Sequence, residues 1–203
     1  DWLTGELADG KLTISAEENT TGNPRSAALT YKVVGSDVEE TITVSQCEFA
    51  KDIAGEYYFA FLDSGKIAFL NATLGQDENG EFISIPSYNW TLRVDYDPAT
   101  YVITLSNNQF MGMFEDYYVH NIARDNASGY IIYTQKVFQT AEFVVETDED
   151  GNEIVVARFV DNGVWGTRVA SSINIYAASG TPIDSKNRVG SLLKMVNPFL
   201  QKK

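Results

Sequence analysis

Apolar and polar residues alternate along much of this 203-residue chain, and the alternation limits the possible folds more than any other feature. It is cleanest at residues 91–96 and recurs at residues 41–44, 141–146 and 172–176. Because successive side chains of a strand point to opposite faces, a period of two predicts half-buried antiparallel strands. Asn-Gly and Asp-Gly pairs between such runs supply the positive φ that tight hairpins need. The sequence therefore predicts an all-β fold of hairpins, closed or nearly closed into a barrel or sandwich.

One segment, residues 189–200, departs from this period. Its apolar residues recur at steps of three and four before Pro198, which is typical of a short amphipathic helix. The same short apolar run also fits a last strand, so the sequence leaves both alternatives open.

The charge of the chain excludes several classes of partner. Twenty-eight acidic and 15 basic residues give a net charge of −13. The segment after Asp184 contains five basic residues and no acidic one. Excess carboxylate repels a phosphate backbone and disfavours an anionic membrane surface. The apolar runs fall far short of the roughly 20 residues of a membrane helix. We therefore expect no nucleic-acid partner and no membrane span.

Residues suited to catalysis or metal binding are few. The single cysteine, Cys47, excludes an internal disulfide and a cysteine-type zinc site. The single histidine, His120, shares a strand face with Tyr118 and Asp116, which predicts a hydrogen-bonded or surface residue. The acidic tip at residues 148–153 fails the register of a calcium loop. We expect a non-catalytic protein without metal or cofactor, although two carboxylates facing one cleft would make a glycoside hydrolase a third hypothesis.

Aromatic residues change in density near Cys47, since only Trp2 and Tyr31 of the 25 precede it. Such a shift in composition predicts a domain boundary there. Sugar rings stack their C–H faces on exposed aromatic rings, so exposed aromatics are candidate ligand contacts. The predicted ligand-binding residues are Trp165, Trp90, Tyr58 and Tyr118. For Trp165 and Trp90, a structural role at a barrel end is the alternative.

Four features of the first 46 residues carry a family resemblance. A Trp2-Leu3 pair opens a strand, Asn19-x-x-Gly22 forms a turn, Arg25-Ser-Ala enters the next strand, and Val44-x-Gln46 closes the segment. Together they resemble the second half of the BACON domain, an immunoglobulin-like β-sandwich of secreted and surface-attached proteins of gut-type Gram-negative bacteria.

The BACON resemblance implies a partial immunoglobulin-like sandwich at residues 1–46 and a secreted or cell-envelope protein, with an outer-membrane lipid anchor expected upstream. Gly55 to Phe59, which open a run of hairpins, resemble the lipocalin-like barrels that accompany such modules in surface lipoproteins. We therefore expect an antiparallel, hairpin-built β-barrel at residues 48–203.

Two functions follow as hypotheses. The first is glycan recognition or adhesion at the cell surface without catalysis. The alternative is a hollow, lipocalin-like barrel that binds a small apolar ligand. The cavity would then be lined by phenylalanines at positions 59, 61, 69, 110, 114, 138 and 143. A barrel filled by its own side chains would argue against the second hypothesis. Buried Trp90 and Trp165, without an exposed aromatic cluster, would argue against the first.

Overall fold

The computed structural model describes residues 2–32, 35, 37–163, 169–178, 183 and 185–203. It is all-β, with 66% of residues in strands and 4% in helices, which confirms the predicted fold class. The chain divides into two compact units, Asp1–Ile53 and Ala54–Lys203.

Two hairpins make up the first unit. The first hairpin pairs β1 (Leu3–Ala8) with β2 (Lys11–Ala16), and the second pairs β3 (Arg25–Lys32) with β4 (Glu39–Gln46). Asp9 and Gly10 both have positive φ, as a tight two-residue hairpin turn requires. A π-helical turn, Phe49–Ile53, ends the unit.

Most apolar residues of these hairpins are half-buried or exposed. β3 alternates strictly between half-buried and exposed positions, as the period of two predicts. Among β1 to β4, Leu3 is the one buried residue of the described part. This burial fits the partial sandwich that the BACON resemblance implies.

The second unit contains a closed antiparallel barrel of eight strands with further strands attached. Its strands are β5 (Gly55–Asp63), β6 (Lys66–Asp77), β7 (Gly80–Ile85), β8 (Trp90–Asp97), β9 (Val102–Ser106), β10 (Gln109–Phe114), β11 (Tyr117–Asp125), β12 (Ile131–Ile132), β13 (Phe138–Thr147), β14 (Glu153–Arg158), β15 (Val160–Asp161), β16 (Val169–Tyr176) and β17 (Arg188–Lys202). A single 3-10 turn, Pro86–Tyr88, connects β7 to β8. The barrel runs β5-β6-β7-β8-β9-β13-β14-β17, and β17 closes it by pairing with β5.

The last strand, β17, belongs to two sheets because it is 15 residues long. Its second half closes the barrel between β14 and β5, whereas its first half pairs with β16. β16 in turn pairs with β11, and β11 with β10. We call β10, β11, β16 and the first half of β17 the wing. Of the two alternatives for residues 189–200, the strand is therefore the right one.

Pro198 fits this strand because the pairing is irregular where it lies. The register between β17 and β5 shifts between Val196 and Phe199, and Asn197 has a positive φ. A proline, which lacks an N–H, is tolerated at such a bulge. Its carbonyl accepts a hydrogen bond from the Phe159 N–H at 2.9 Å.

Side chains of the barrel's own strands fill its interior in the described part of the chain. The largest of them, fully buried, include Tyr57, Phe59, Phe61, Leu74, Ile83, Ile85, Leu92 and Ile103. Tyr57 packs edge-on against Phe143 at 6.3 Å between ring centroids. Three phenylalanines expected to line a cavity, Phe59, Phe61 and Phe143, are thus part of the core. Phe69 and Phe110 are exposed instead.

Candidate functional site

An aromatic pocket lies between the β5–β6 hairpin, the β7–β8 connection and the wing. Its volume is about 280 Å³. The lining residues are Phe61, Ala68, Phe69, Leu70, Tyr88, Trp90, Phe114, Leu192 and Leu193. They come from β5, β6, the 3-10 turn, β8, β10 and β17, so both barrel and wing contribute. We call this depression the mouth pocket.

A stacked pair of rings forms one wall of the mouth pocket. The rings of Tyr88 and Trp90 are nearly parallel, with centroids 4.4 Å apart and an interplanar angle of 16°. Trp90 is 3% exposed, and its indole N–H donates a hydrogen bond to the Met113 carbonyl at 2.9 Å. Tyr88 is 45% exposed. Trp90 therefore anchors the pair, and Tyr88 presents its ring to solvent.

The local sequence explains the position of Tyr88. Pro86 begins the 3-10 turn, and its carbonyl accepts a hydrogen bond from the Asn89 N–H at 3.2 Å. Asn89 ends the turn in the left-handed conformation, which asparagine adopts more readily than most residues. Tyr88 is thereby placed over Trp90, the first residue of β8.

A close approach between β8 and β10 joins the wing to the barrel beside this pair. Gly112 has φ +146°, and a Cβ there would lie 2.9 Å from the Asn89 carbonyl oxygen and 3.1 Å from Cδ1 of Trp90. The Gln109 side chain accepts from the Arg93 N–H at 3.0 Å and donates to the Arg93 carbonyl at 2.9 Å. A glycine at 112 is therefore needed for this contact.

The aromatic surface continues from the mouth pocket onto the outside of the barrel. Phe69, which is 58% exposed, packs edge-on against Tyr58 with ring centroids 4.9 Å apart. Tyr58 is 37% exposed and is the cross-strand partner of Asn71. The Lys203 ammonium lies 4.9 Å from the Tyr58 ring centroid and donates to Asn71 Oδ1 at 2.8 Å. We call Phe69, Tyr58, Asn71 and Lys203 the outer strip.

The four predicted ligand-binding residues lie in different places. Trp90 lines the mouth pocket, and Tyr58 adjoins it through Phe69. Tyr118 lies on the wing, 5.9 Å from the Phe110 ring, and does not line the pocket. Trp165 lies outside the described residues. Sequence reasoning missed Tyr88, although the proline-led turn directly before Trp90 was a usable signal.

His120 is not the hydrogen-bonded or surface residue that the strand pattern predicts. It is 0% exposed, and neither ring nitrogen has a hydrogen-bond partner in the described part of the chain. Its ring lies 5.5 Å from that of Phe110 and 5.3 Å from that of Tyr176, opposite Asn174 on β16. Burial lowers its pKa from 6.5 to about 4. The pattern identified the face correctly but not the residues that cover it.

Three further findings concern other binding chemistry. No group of three or more His, Cys, Asp or Glu side chains that could hold a metal occurs among the described residues. Within the same residues, no helix is long and apolar enough to cross a membrane. A second depression of about 340 Å³ lies outside the barrel at β9, β13 and β14, but its one cation, Arg158, is paired with Glu146.

The motif residues of the first unit hold its strands together. The Arg25 guanidinium donates to Gln46 Oε1 at 2.8 Å and to the Glu17 carbonyl at 2.7 Å. It also lies 4.2 Å from the Trp2 ring centroid. The Gln46 amide donates to the same Glu17 carbonyl at 3.0 Å. Three residues of the motif, Trp2, Arg25 and Gln46, thus meet in one cluster with Glu17.

The first unit, which contains this cluster, also matches a known protein family. Residues 1–47 match the family model described as "BACON: Putative binding domain, N-terminal". No match was found among curated proteins or among solved structures. The chain is therefore a BACON-containing protein, with the match confined to its first unit.

Proposed function

We propose that this protein recognises glycans without catalysis, as a secreted or surface protein, and that the mouth pocket is the binding site. The exposed Tyr88 ring, stacked on the buried Trp90, is the observation that carries the proposal. The BACON match supports a role in binding.

The geometry of the stacked pair suits a sugar ring. Sugars present a flat apolar C–H face, which packs on an aromatic ring that is already held in place. Trp90 fixes one face of Tyr88, so little side-chain entropy is lost when a ligand covers the other. Asp63 and Lys66 lie two residues along the chain from the lining residues Phe61 and Ala68, and Asn89 follows Tyr88 directly. We expect these polar side chains to bind sugar hydroxyls at the edge of the pocket.

A small apolar ligand is the second candidate, because the lining of the mouth pocket is almost wholly apolar. Phe61, Phe69 and Phe114 line it, and all three belong to the set expected to contact such a ligand. Since the interior of the barrel is filled, this ligand would lie in the mouth rather than deep between the strands.

Glycan-array binding of wild type, Tyr88→Ala and Tyr88→Phe tests the proposal. We expect the alanine variant to bind roughly three- to ten-fold more weakly, which corresponds to the loss of one aromatic contact. The phenylalanine variant keeps the ring and most of the affinity. Tyr130, the most exposed tyrosine, provides a matched control as Tyr130→Ala.

Four results would contradict this proposal. Unchanged glycan binding by Tyr88→Ala would show that the glycan site is not at Tyr88. Cleavage of the bound glycan would refute a non-catalytic role. Displacement of an apolar fluorescent probe from the mouth by fatty acids, without glycan binding, would favour the second candidate. Protection of the protein from protease added to intact cells would contradict exposure at the surface.

A further inference from the structure

We propose that the binding site extends from the mouth pocket along the outer strip, and that it takes an acidic glycan whose carboxylate is bound by Lys203. This inference rests on the proposed function and adds to it both the length of the ligand and its charge.

Phe69 connects the aromatic lining of the mouth pocket to the outer strip. Phe69 lines the mouth pocket and also packs against Tyr58 outside it. Asn71 follows Phe69 by two residues on the same face of β6, roughly 6.7 Å further along the strand. A chain of sugars that starts on Tyr88 can therefore pass over Phe69 and reach Tyr58 and Asn71 with its second or third ring.

The Lys203 ammonium gives the end of the outer strip a positive charge. The Lys203 ammonium contacts the Tyr58 ring and the Asn71 amide oxygen, both uncharged. None of the ion pairs in the described part of the chain involves Lys203. Asn71 is exposed, so its NH₂ group can donate beside the ammonium. An ammonium and an amide donor side by side suit a carboxylate.

The nearest acid and the net charge of the chain must also be considered. Glu56 lies two residues before Tyr58 on β5, and its carboxylate accepts a hydrogen bond from the Thr73 hydroxyl at 2.7 Å. The remaining acids contribute to a net charge of −13. At physiological ionic strength, charges more than about 8 Å apart are largely screened. The charges that a bound carboxylate meets at this position are therefore the Lys203 ammonium, which attracts it, and the Glu56 carboxylate, which opposes it.

The test compares two trisaccharides with the same skeleton but different charge. Trigalacturonic acid and its fully methyl-esterified form are titrated into the whole protein by calorimetry, at low and high salt. The variants are Lys203→Gln and, as a control at another exposed lysine, Lys136→Gln. Monogalacturonic acid measures the affinity of a single ring.

We expect wild type to bind the acid roughly two- to five-fold more tightly than the ester at low salt, as for one exposed ion pair. Lys203→Gln should remove this preference by weakening the binding of the acid, whereas Lys136→Gln should keep it. Tyr58→Ala should reduce the increase in affinity between monogalacturonic acid and trigalacturonic acid. If that variant does not fold, the increase measured in wild type alone decides whether the site extends.

The outcomes separate the two proposals. Binding of the ester that depends on Tyr88, without any preference for the acid, overturns the acidic ligand and leaves the proposed function standing. An acid preference that survives Lys203→Gln, or equal affinity for one and three rings, also overturns this inference. Binding of neither trisaccharide overturns this inference, whereas the proposed function is decided separately by the glycan array. Decanoate binding that depends on Lys203, without sugar binding, assigns the site to fatty acids.

Discussion

Acid should destabilise this protein through His120, because that residue is buried as a neutral imidazole. Its pKa is lowered from 6.5 to about 4 in the folded chain. Above pH 6.5 the imidazole is neutral in both the folded and the unfolded state. As the pH falls below 6.5 the unfolded chain takes up a proton that the folded chain does not. The free energy of unfolding therefore falls by about 1.4 kcal/mol per pH unit until about pH 4.

The magnitude is large enough to measure. Between pH 7.5 and pH 4.5 the contribution of His120 amounts to about 2.5 kcal/mol, from the two pKa values and the linkage relation. The assay is urea unfolding followed by circular dichroism at pH 7.5, 6.0 and 4.5. His120→Phe keeps an aromatic ring between Phe110 and Tyr176 and cannot titrate. We expect its stability to depend less on pH than that of wild type, by this amount.

Carboxylates do not obscure the comparison. Backbone and side-chain hydrogen bonds lower the pKa of Asp97 and Asp148, and the Arg93 guanidinium lowers that of Asp77. Stability contributed by these groups is present above their unfolded pKa and is lost below about pH 4. The carboxylates contribute equally in wild type and variant, so their contribution cancels when the two pH dependences of stability are subtracted. Equal pH dependence in the two proteins would refute the assignment to His120, and His120→Gln repeats the test if phenylalanine overpacks the site.

Two further predictions concern the wing and the division into units. Gly112→Ala should lower the free energy of unfolding by about 1–3 kcal/mol and change the fluorescence of Trp90, because its Cβ meets backbone and strains φ. Gly151→Ala, at positive φ but in open space, should cost less, and equal losses would contradict the close approach. The second unit expressed alone should unfold cooperatively in urea. The first unit alone should show no cooperative transition, because few of its apolar residues are buried.

The hairpin structure could be predicted from the sequence because its causes are local. Strands β8 and β13 contain the alternating runs at residues 91–96 and 141–146. A Gly in the left-handed conformation follows Asn79, where the pattern placed a turn. The motif of the first unit is also local enough to be recognised, and Arg25 and Gln46 make the contacts that explain it.

The mouth pocket could not be predicted in the same way. Its residues come from six separate elements, and they meet only because β17 pairs with β5 at one half and with β16 at the other. Trp90 was identified as a candidate from its position at the start of a strand. The burial of Trp90 under Tyr88 depends on the approach of β10, for which Gly112 is required.

The sequence alone thus determined which residues form strands, where the chain turns, and which side chains share a face, since all three depend on neighbours in the chain. The tertiary structure decided what covers each face. His120 illustrates the difference, because alternation placed it with Tyr118, whereas long-range pairing with β16 brought Tyr176 over its ring and removed it from water. Burial is a property of the assembled sheets, so it was decided only when distant strands paired.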